Sequence, residues 1–284
     1  MSGLVVLTTD FGLHDEYVGV MKGVIAGLAP VTQVIDLSHG IEPHNIAQAA
    51  HLLDSSCRFF PDQTIHVVVV DPGVGSERRL ILVGARRQLF LAPDNGVLSL
   101  LLGNEDFTFA RAVVNDALFI KPVSRTFHGR DILAPVAAQL AAGLDATAVG
   151  PELARHELTE LPLRPLLAAD GQGMDGMVVQ VDRFGNLITN IPRAAAQGLG
   201  CGTTGIAVSI TVGGKTIAGL AACYSEVQTG ELLALFGSRD YLEIAINQGN
   251  AAKYLGVSAG EIVQLRTFHN FNFTPSITNF KLNT

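Results

Sequence analysis

Four polar clusters interrupt an otherwise apolar chain: Asp10 with Asp15, Asp71 with Arg78, His128 with Arg130 and Asp131, and Asp182 with Asn186 and Asn190. Carboxylates beside a histidine and arginines can move a proton or hold a charged ligand. None of the clusters supplies a covalent nucleophile, because no Ser or Cys stands in a GxSxG setting. No CxxC or HxxxH spacing offers a zinc site, so no metal is expected. No GxxxxGK[ST] forms a P-loop, and Gly73-Val74-Gly75 lacks the third glycine and helix of a dinucleotide fingerprint. Each cluster also has a plainer reading. Asp10 can cap a helix starting near Asp15, and Asp71 and Arg78 can be an ion pair closing a turn. His128 can be a loop histidine satisfied by backbone, and Asp182 and Asn186 can simply shape a turn. The remaining histidines show no paired spacing. Chemistry is favoured only if the clusters converge.

The elements around them have a definite order. Val67 to Val70 is an unbroken β-branched run, the mark of a strand buried on both faces, and Asp71 stands where Pro72, Gly73 and Gly75 end it. A carboxylate at the carboxyl end of such a strand faces the crevice where open α/β sheets bind ligands. Leu4 to Thr9 and Val34 to Leu37 read as strands. Asp15 to Leu28 and Pro43 to about Leu53 read as helices. Strand, helix, strand, helix, strand is the order of a mostly parallel sheet. Leu80 to Val83 and Leu89 to Leu91 are further strands, and Ile132 to Ala142 a helix opened by the loop Thr126–Asp131. Pro151, Pro162 and Pro165 mark a linker over residues 151 to 173. Beyond it, short strands around Asp182–Asn186, Gly213-Gly214 and Gly237–Asp240 predict a small β-barrel. The expected fold class is α/β, with an N-terminal α/β domain over 1–165, a C-terminal β-barrel domain over 166–266, and a tail over 267–284.

Composition narrows the partners. The chain of 284 residues is 48% hydrophobic and 16% charged, so it can bury a large core, and it has no Trp. A net charge of −7 with no basic stripe argues against nucleic acid and favours a cationic small ligand. No apolar stretch approaches the ~18–20 residues of a membrane span. The start of the chain lacks a basic segment before its apolar run, and Cys57, Cys201 and Cys223 are widely spaced. Both features point to a cytoplasmic protein with reduced thiols.

Five motifs in collinear order carry a resemblance over about residues 3 to 265. They are Asp10-Phe-Gly, Val-Asp71-Pro-Gly-Val-Gly-Ser-Glu-Arg78, Ala92-Pro-Asp-Asn-Gly96, Thr126-Phe-His128-Gly-Arg-Asp131 and Asp182-Arg-Phe-Gly-Asn186-Leu-Ile-Thr-Asn190. Together they resemble the S-adenosyl-L-methionine hydroxide adenosyltransferase family. That family hydrolyses S-adenosylmethionine (SAM) to adenosine and methionine without a cofactor, and is related to the SAM-dependent fluorinase and chlorinase. The resemblance implies a homotrimer with SAM between the N-terminal domain of one subunit and the C-terminal domain of the next. It puts the water-activating triad on Asp71, Arg78 and His128, and the ribose-diol carboxylate on Asp10. It puts the methionine-amine contact on Asp182, an adenine contact on Asn186 and the methionine-carboxylate pair on Ser238 and Arg239.

The implied chemistry suits these residues. Attack of water at the 5′ carbon expels a neutral thioether from a sulfonium, so no general acid is needed. A His oriented by a carboxylate can take the water's proton, and an Arg can stabilise hydroxide. Three rivals remain: a halogenase, a metal-dependent nucleotide phosphatase and a non-catalytic SAM or adenosine sensor. The halogenases carry an aromatic where Asp71 stands, and another against the ribose where His44 stands.

Overall fold

The four-valine run is buried as its sequence predicts, with its side chains alternating between two cores. The structure is a computed structural model that describes residues 3–103 and 107–269. The chain divides into two units at Leu163/Arg164. In the first unit, Val67 and Val69 pack into one core with Val5, Leu7, Met21, Ile25 and Leu133. Val68 and Val70 pack into the other with Leu53, Ile81, Phe90 and Leu101. A strand that buries both faces has no solvent side, which explains why its apolar run is continuous.

The strands of this unit are β1 (Leu4–Thr9), β2 (Gln33–Ser38), β3 (Ile65–Val69), β4 (Leu80–Ala85), β5 (Gln88–Pro93), β6 (Phe107–Ala112) and β7 (Glu152–Leu153). They form one sheet in the order β2-β1-β3-β5-β4-β6-β7. Pairs β1/β2, β1/β3 and β3/β5 are parallel, while β4/β5, β4/β6 and β6/β7 are antiparallel. The sheet is therefore mixed rather than mostly parallel. The cause is local: β4 and β5 are joined by Arg86-Arg87, both at positive φ, a two-residue hairpin with no glycine to announce it. Strand β6 also escapes the sequence reading, because Phe-Thr-Phe-Ala-Arg-Ala carries a charge and no β-branched run.

Helices α1 (Tyr17–Leu28), α2 (Ile46–Ser56), α3 (Ser99–Leu102) and α4 (Ala134–Ala141) cover the sheet. Helix α1 buries Val18, Met21 and Ile25, one helical face. Helix α2 begins after Asn45, whose side chain accepts from the Gln48 N–H, and not at Pro43. Helix α4 is entered through a π-helical turn, Gly129–Leu133. Residues read as a linker contain β7 and, in the second unit, β8 (Leu166–Leu167).

The second unit is built on β9 (Gly173–Val181), β10 (Leu187–Pro192), β11 (Ile206–Val212), β12 (Lys215–Ala218), β13 (Leu232–Phe236), β14 (Tyr241–Ile246) and β15 (Ile262–His269), with α5 (Arg193–Gly198) and α6 (Ala251–Leu255). Their order is β12-β11-β15-β9-β10-β14-β13, with β8 added to β9. Every pair is antiparallel, and the edge strands β12 and β13 approach each other in a nearly closed, barrel-like sheet. Its interior holds Met174, Val178, Leu187, Ile210, Leu242, Ile244, Val263 and Leu265. Strand β15 runs on to His269, past Leu265 where the apolar signal fades, because β11 offers it partners as far as Ile206. Residues 270–284 of the expected tail lie outside the described residues. No helix among the described residues is long and apolar enough to cross a membrane.

Candidate active site

The register of the parallel strands places the first two carboxylates. Thr9 of β1 lies beside Val69 of β3, so Asp10 and Asp71 leave the same edge of the sheet on neighbouring strands. The Asn95 side-chain amide donates to the Val70 carbonyl at 2.9 Å and fixes the backbone that presents Asp71. A tight turn comes next, in which Val74 N–H donates to Asp71 O and Ser76 N–H to Gly73 O. Gly75 sits at φ +81°, and a Cβ there would come within 2.4 Å of the Arg125 carbonyl, so only glycine fits. The turn returns Arg78 to Asp71. Its Nε donates to Oδ1 at 2.7 Å and its Nη2 to Oδ2. The side chains are 9% and 5% exposed.

The same Nη2 lies 2.9 Å from His128 Nδ1. A guanidinium has donors only, so His128 Nδ1 accepts. Neutral His128 then carries its hydrogen on Nε2. Arg78 thus stands between Asp71 and His128, so the chain of contacts runs carboxylate–guanidinium–imidazole, not carboxylate–imidazole. Burial, and then the Arg78 charge, hold the His128 imidazole below its usual range against the opposing pull of Asp71 and Asp131.

The π-helical turn just beyond His128 aims its ring. Asp131, fully buried, accepts from Arg130 Nε at 2.6 Å and Nη2 at 2.8 Å and from the Ser124 N–H at 2.8 Å. Ile120 N–H donates to the Asp131 carbonyl. Burial pushes the Asp131 carboxyl up, but these donors and neighbouring charges outweigh it and leave it lowered. The loop before His128 is therefore tied to the turn after it.

A cavity of about 340 Å³ opens here, lined by Asp10, His44, Asp71, Val74 and His128 together with Phe11, Tyr17 and Phe127. The three aromatic rings touch one another, with centroids 5.2 to 5.9 Å apart. Asp10 caps no helix: its Oδ2 accepts from the His44 N–H at 2.9 Å, and His44 takes φ +68° to make that contact. Behind it, Thr9 Oγ1 meets His39 Nδ1 at 2.9 Å, and His39 Nε2 lies 3.0 Å from Asp36. Asp15 is exposed and does not line the cavity.

In the second unit, Asp182 opens the β9–β10 turn. Its Oδ1 accepts from the N–H groups of Phe184 and Asn186, both at 2.9 Å, and its Oδ2 accepts from Asn186 Nδ2 at 3.1 Å. Asn186 keeps Oδ1 and one N–H, an acceptor and a donor side by side. Asn190 serves the sheet instead, accepting from the Met177 N–H at 2.8 Å. Ser238 and Arg239 stand in the β13–β14 turn, and Arg239 Nη1 donates to Gln180 Oε1 at 2.8 Å. Near them lies a pair that sequence reasoning missed: Tyr224 donates to Glu243 Oε1 at 2.5 Å. The signal was present, since Glu243 is the only charge in the strand Tyr-Leu-Glu-Ile-Ala-Ile.

The first unit thus gathers Asp10, Asp71, Arg78 and His128, and the second gathers Asp182, Asn186 and Arg239. Comparison with known proteins gives these groups a context. The model of the SAM hydroxide adenosyltransferase N-terminal domain matches residues 5–150, and that of the C-terminal domain matches residues 176–264. A protein of Thermus thermophilus named (R)-S-adenosyl-L-methionine hydrolase is 38% identical over 90% of this chain and 97% of its own. One of the same name from Salinispora tropica is 37% identical over 89% and 94%. The crystal structure of an uncharacterized conserved protein from Thermotoga maritima superimposes with a TM-score of 0.84 at 39% identity, covering 92% of this chain and 99% of that one.

Proposed function

The chain belongs to the SAM hydroxide adenosyltransferase family, and from that premise we propose that it hydrolyses SAM to adenosine and L-methionine. The observation that carries the reading is the Asp71–Arg78–His128 chain of contacts at a cavity also lined by Asp10. The relatives' names specify the (R) form. Since "L" already fixes the α-carbon, that letter describes the sulfonium, and the (R)-sulfonium epimer is the substrate proposed here.

Water attacks the ribose 5′ carbon in line with the C–S bond. A C–O bond forms, the C–S electron pair leaves on sulfur as a neutral thioether, and one water proton departs. The reaction needs orientation and a proton acceptor, with no acid for the leaving group. Among the triad, Arg78 has no lone pair to offer and His128 Nδ1 is occupied by Arg78. The Asp71 carboxylate, with lone pairs left beyond its Arg78 contacts, is therefore the proposed acceptor. His128 is assigned to orient the oxygen through its Nε2–H. The sequence leaves open which member of the triad takes the proton; the interposed guanidinium favours Asp71 over His128.

Asp10 is assigned to the ribose diol, as two hydroxyl donors suit a carboxylate. Asp182 is assigned to the methionine ammonium. Ser238 and Arg239 are assigned to the methionine carboxylate, which a guanidinium can meet bidentately. Asn186 is assigned to adenine, whose amino group and ring nitrogen match its remaining acceptor and donor. The family resemblance further supports a homotrimer, with SAM between the N-terminal unit of one subunit and the C-terminal unit of the next. No metal or cofactor is assigned. The three unpaired cysteines support a cytoplasmic setting.

The test is incubation of the protein with each sulfonium epimer of SAM, followed by chromatography. Adenosine and methionine in equal amounts, with no halogenated nucleoside in added chloride or fluoride, are expected. Binding without turnover would replace the enzyme by a sensor.

A further inference from the structure

Strand β14 alternates cleanly. Leu242, Ile244 and Ile246 point into the barrel core, and Glu243 points the other way. Its cross-strand neighbours are Ile188 on β10 and Leu235 on β13, both buried and apolar. A glutamate only 7% exposed among such neighbours costs stability unless something uses it. Replacement by an apolar residue would be the cheaper solution for a sheet that served packing alone.

Two turns meet this carboxyl and the charge of a third reaches it. The turn at Tyr224–Glu226 supplies the Tyr224 hydroxyl, which donates to Oε1 at 2.5 Å. The β13–β14 turn lies on Oε2: a Cβ on Gly237 would sit 2.4 Å from that oxygen, so the backbone that carries Ser238 and Arg239 rests against it. The β9–β10 turn brings Asp182 near enough to repel it, while Arg239 attracts it. The charged and titratable groups facing Glu243 are thus Tyr224, Asp182 and Arg239. Asp182 and Arg239 are the two residues assigned above to the charged ends of the amino acid. Arg239 Nη1 itself donates to Gln180 Oε1. Burial and then Asp182 push the Glu243 carboxyl up, against the Tyr224 hydrogen bond and the Arg239 charge.

We propose that Glu243, steered by Tyr224, is a positioning residue for the amino-acid end of the substrate: its carboxylate supports the Ser238–Arg239 turn and sets the aim of the Arg239 guanidinium. This rests on the assignment of Asp182 and Arg239 to the methionine portion of SAM. It concerns affinity and orientation, and assigns Glu243 no contact with the reacting carbon. The charge state of Glu243 then enters substrate binding. As pH falls and Glu243 takes a proton, Arg239 loses its counter-charge and the grip on the substrate carboxylate loosens.

The experiment compares the wild type with Glu243→Gln, which keeps the size and the acceptor for Tyr224 but removes the charge, and with Tyr224→Phe. KM and kcat for SAM are measured from pH 5 to 8, together with the inhibition constant of adenosine, which lacks the amino-acid end. We expect Glu243→Gln to raise KM about tenfold, the range of one charge-assisted contact, with kcat changed less than about twofold. Adenosine inhibition should be unchanged. The rise of wild-type KM toward acid pH should be absent in the variant, and Tyr224→Phe should show a smaller rise in KM. An unaltered KM, or KM and the adenosine constant rising together, overturns the proposal in favour of a purely structural Glu243. If the wild type fails to turn over either SAM epimer, the proposed function falls. Calorimetric affinities of both proteins for SAM and adenosine then decide the role of Glu243 by the same split.

Discussion

Arg78 Nη2 lies 2.9 Å from His128 Nδ1, and this contact decides which ring nitrogen of the histidine carries hydrogen. The guanidinium also holds Asp71, so one side chain contacts both of its partners and sets the tautomer of the histidine.

The first prediction rests on that tautomer. If His128 donates through Nε2–H, a side chain that offers an N–H from a similar reach should restore part of its work. His128→Ala should lower kcat by roughly 10²-fold, within the range of a lost oriented contact. His128→Gln should recover about tenfold of that loss. A histidine acting as the base would not be replaced by an amide, and equal defects in the two variants would return the proton to His128.

The second concerns pH. Burial and the Arg78 charge lower the His128 pKa, so the neutral ring persists below the ordinary value of 6.5. Protonation at Nδ1 would set a cation against the guanidinium and break the contact. Activity should fall toward acid pH with its midpoint below 6.5. Asp71 pulls the other way, so Asp71→Asn should move the His128 midpoint lower still. Proton NMR of the His128 ring in both proteins measures it, and a midpoint above 6.5 in the wild type would contradict the geometry.

Much of this was legible in the sequence, and the reasons differ by element. The Val67–Val70 run, the glycines after Asp71 and the spacing to Arg78 specify a strand, a turn and a returning side chain, all of them local events. The order of Arg78 and His128 was not legible, because residues fifty positions apart meet only through the sheet and the π-helical turn. The antiparallel half of the first sheet was hidden by a hairpin at Arg86-Arg87 that breaks the usual turn chemistry. Asn95 was visible as part of a motif, but its work, holding the Val70 carbonyl, belongs to a contact between two loops. Glu243 stood in plain view as a charge inside an apolar strand. What sequence could not supply was Tyr224, which reaches it from a separate turn.

The third prediction concerns acid stability. His51 and His66 are buried, and burial lowers each to about 4, against the smaller opposing pulls of Asp54 on His51 and Gln88 on His66. Their folded values lie below the unfolded value of 6.5, so the unfolded chain binds protons first as pH falls. Stability is full above 6.5 and is lost progressively down to about 4, by on the order of 3 kcal/mol per histidine. Urea unfolding of the first unit across that range should show a falling midpoint. His66→Phe, which keeps a ring to stack on Phe90, should flatten the slope even though it loses the Gln88 hydrogen bond. An unchanged slope would mean that His66 accepts its proton in the folded protein.

The last prediction tests the proposed assembly. On that reading, each site takes Asp10, Asp71 and His128 from one subunit and Asp182, Asn186 and Arg239 from its neighbour. A His128→Ala chain and an Asp182→Ala chain should each be nearly inactive alone. Mixed after reversible dissociation, they should regain activity. In a trimer with one directed interface per neighbour, each interface pairs the first unit of one chain with the second unit of the next. An equal random mixture pairs an intact first unit with an intact second unit at about one interface in four, so recovery should approach a quarter of the wild-type rate. The regained activity should keep the wild-type KM, because the restored sites carry every native residue. Recovery confined to mixtures, and absent when either variant is incubated alone, would place the site across the subunit boundary. A well-mixed sample with no recovery would place the whole site within one chain.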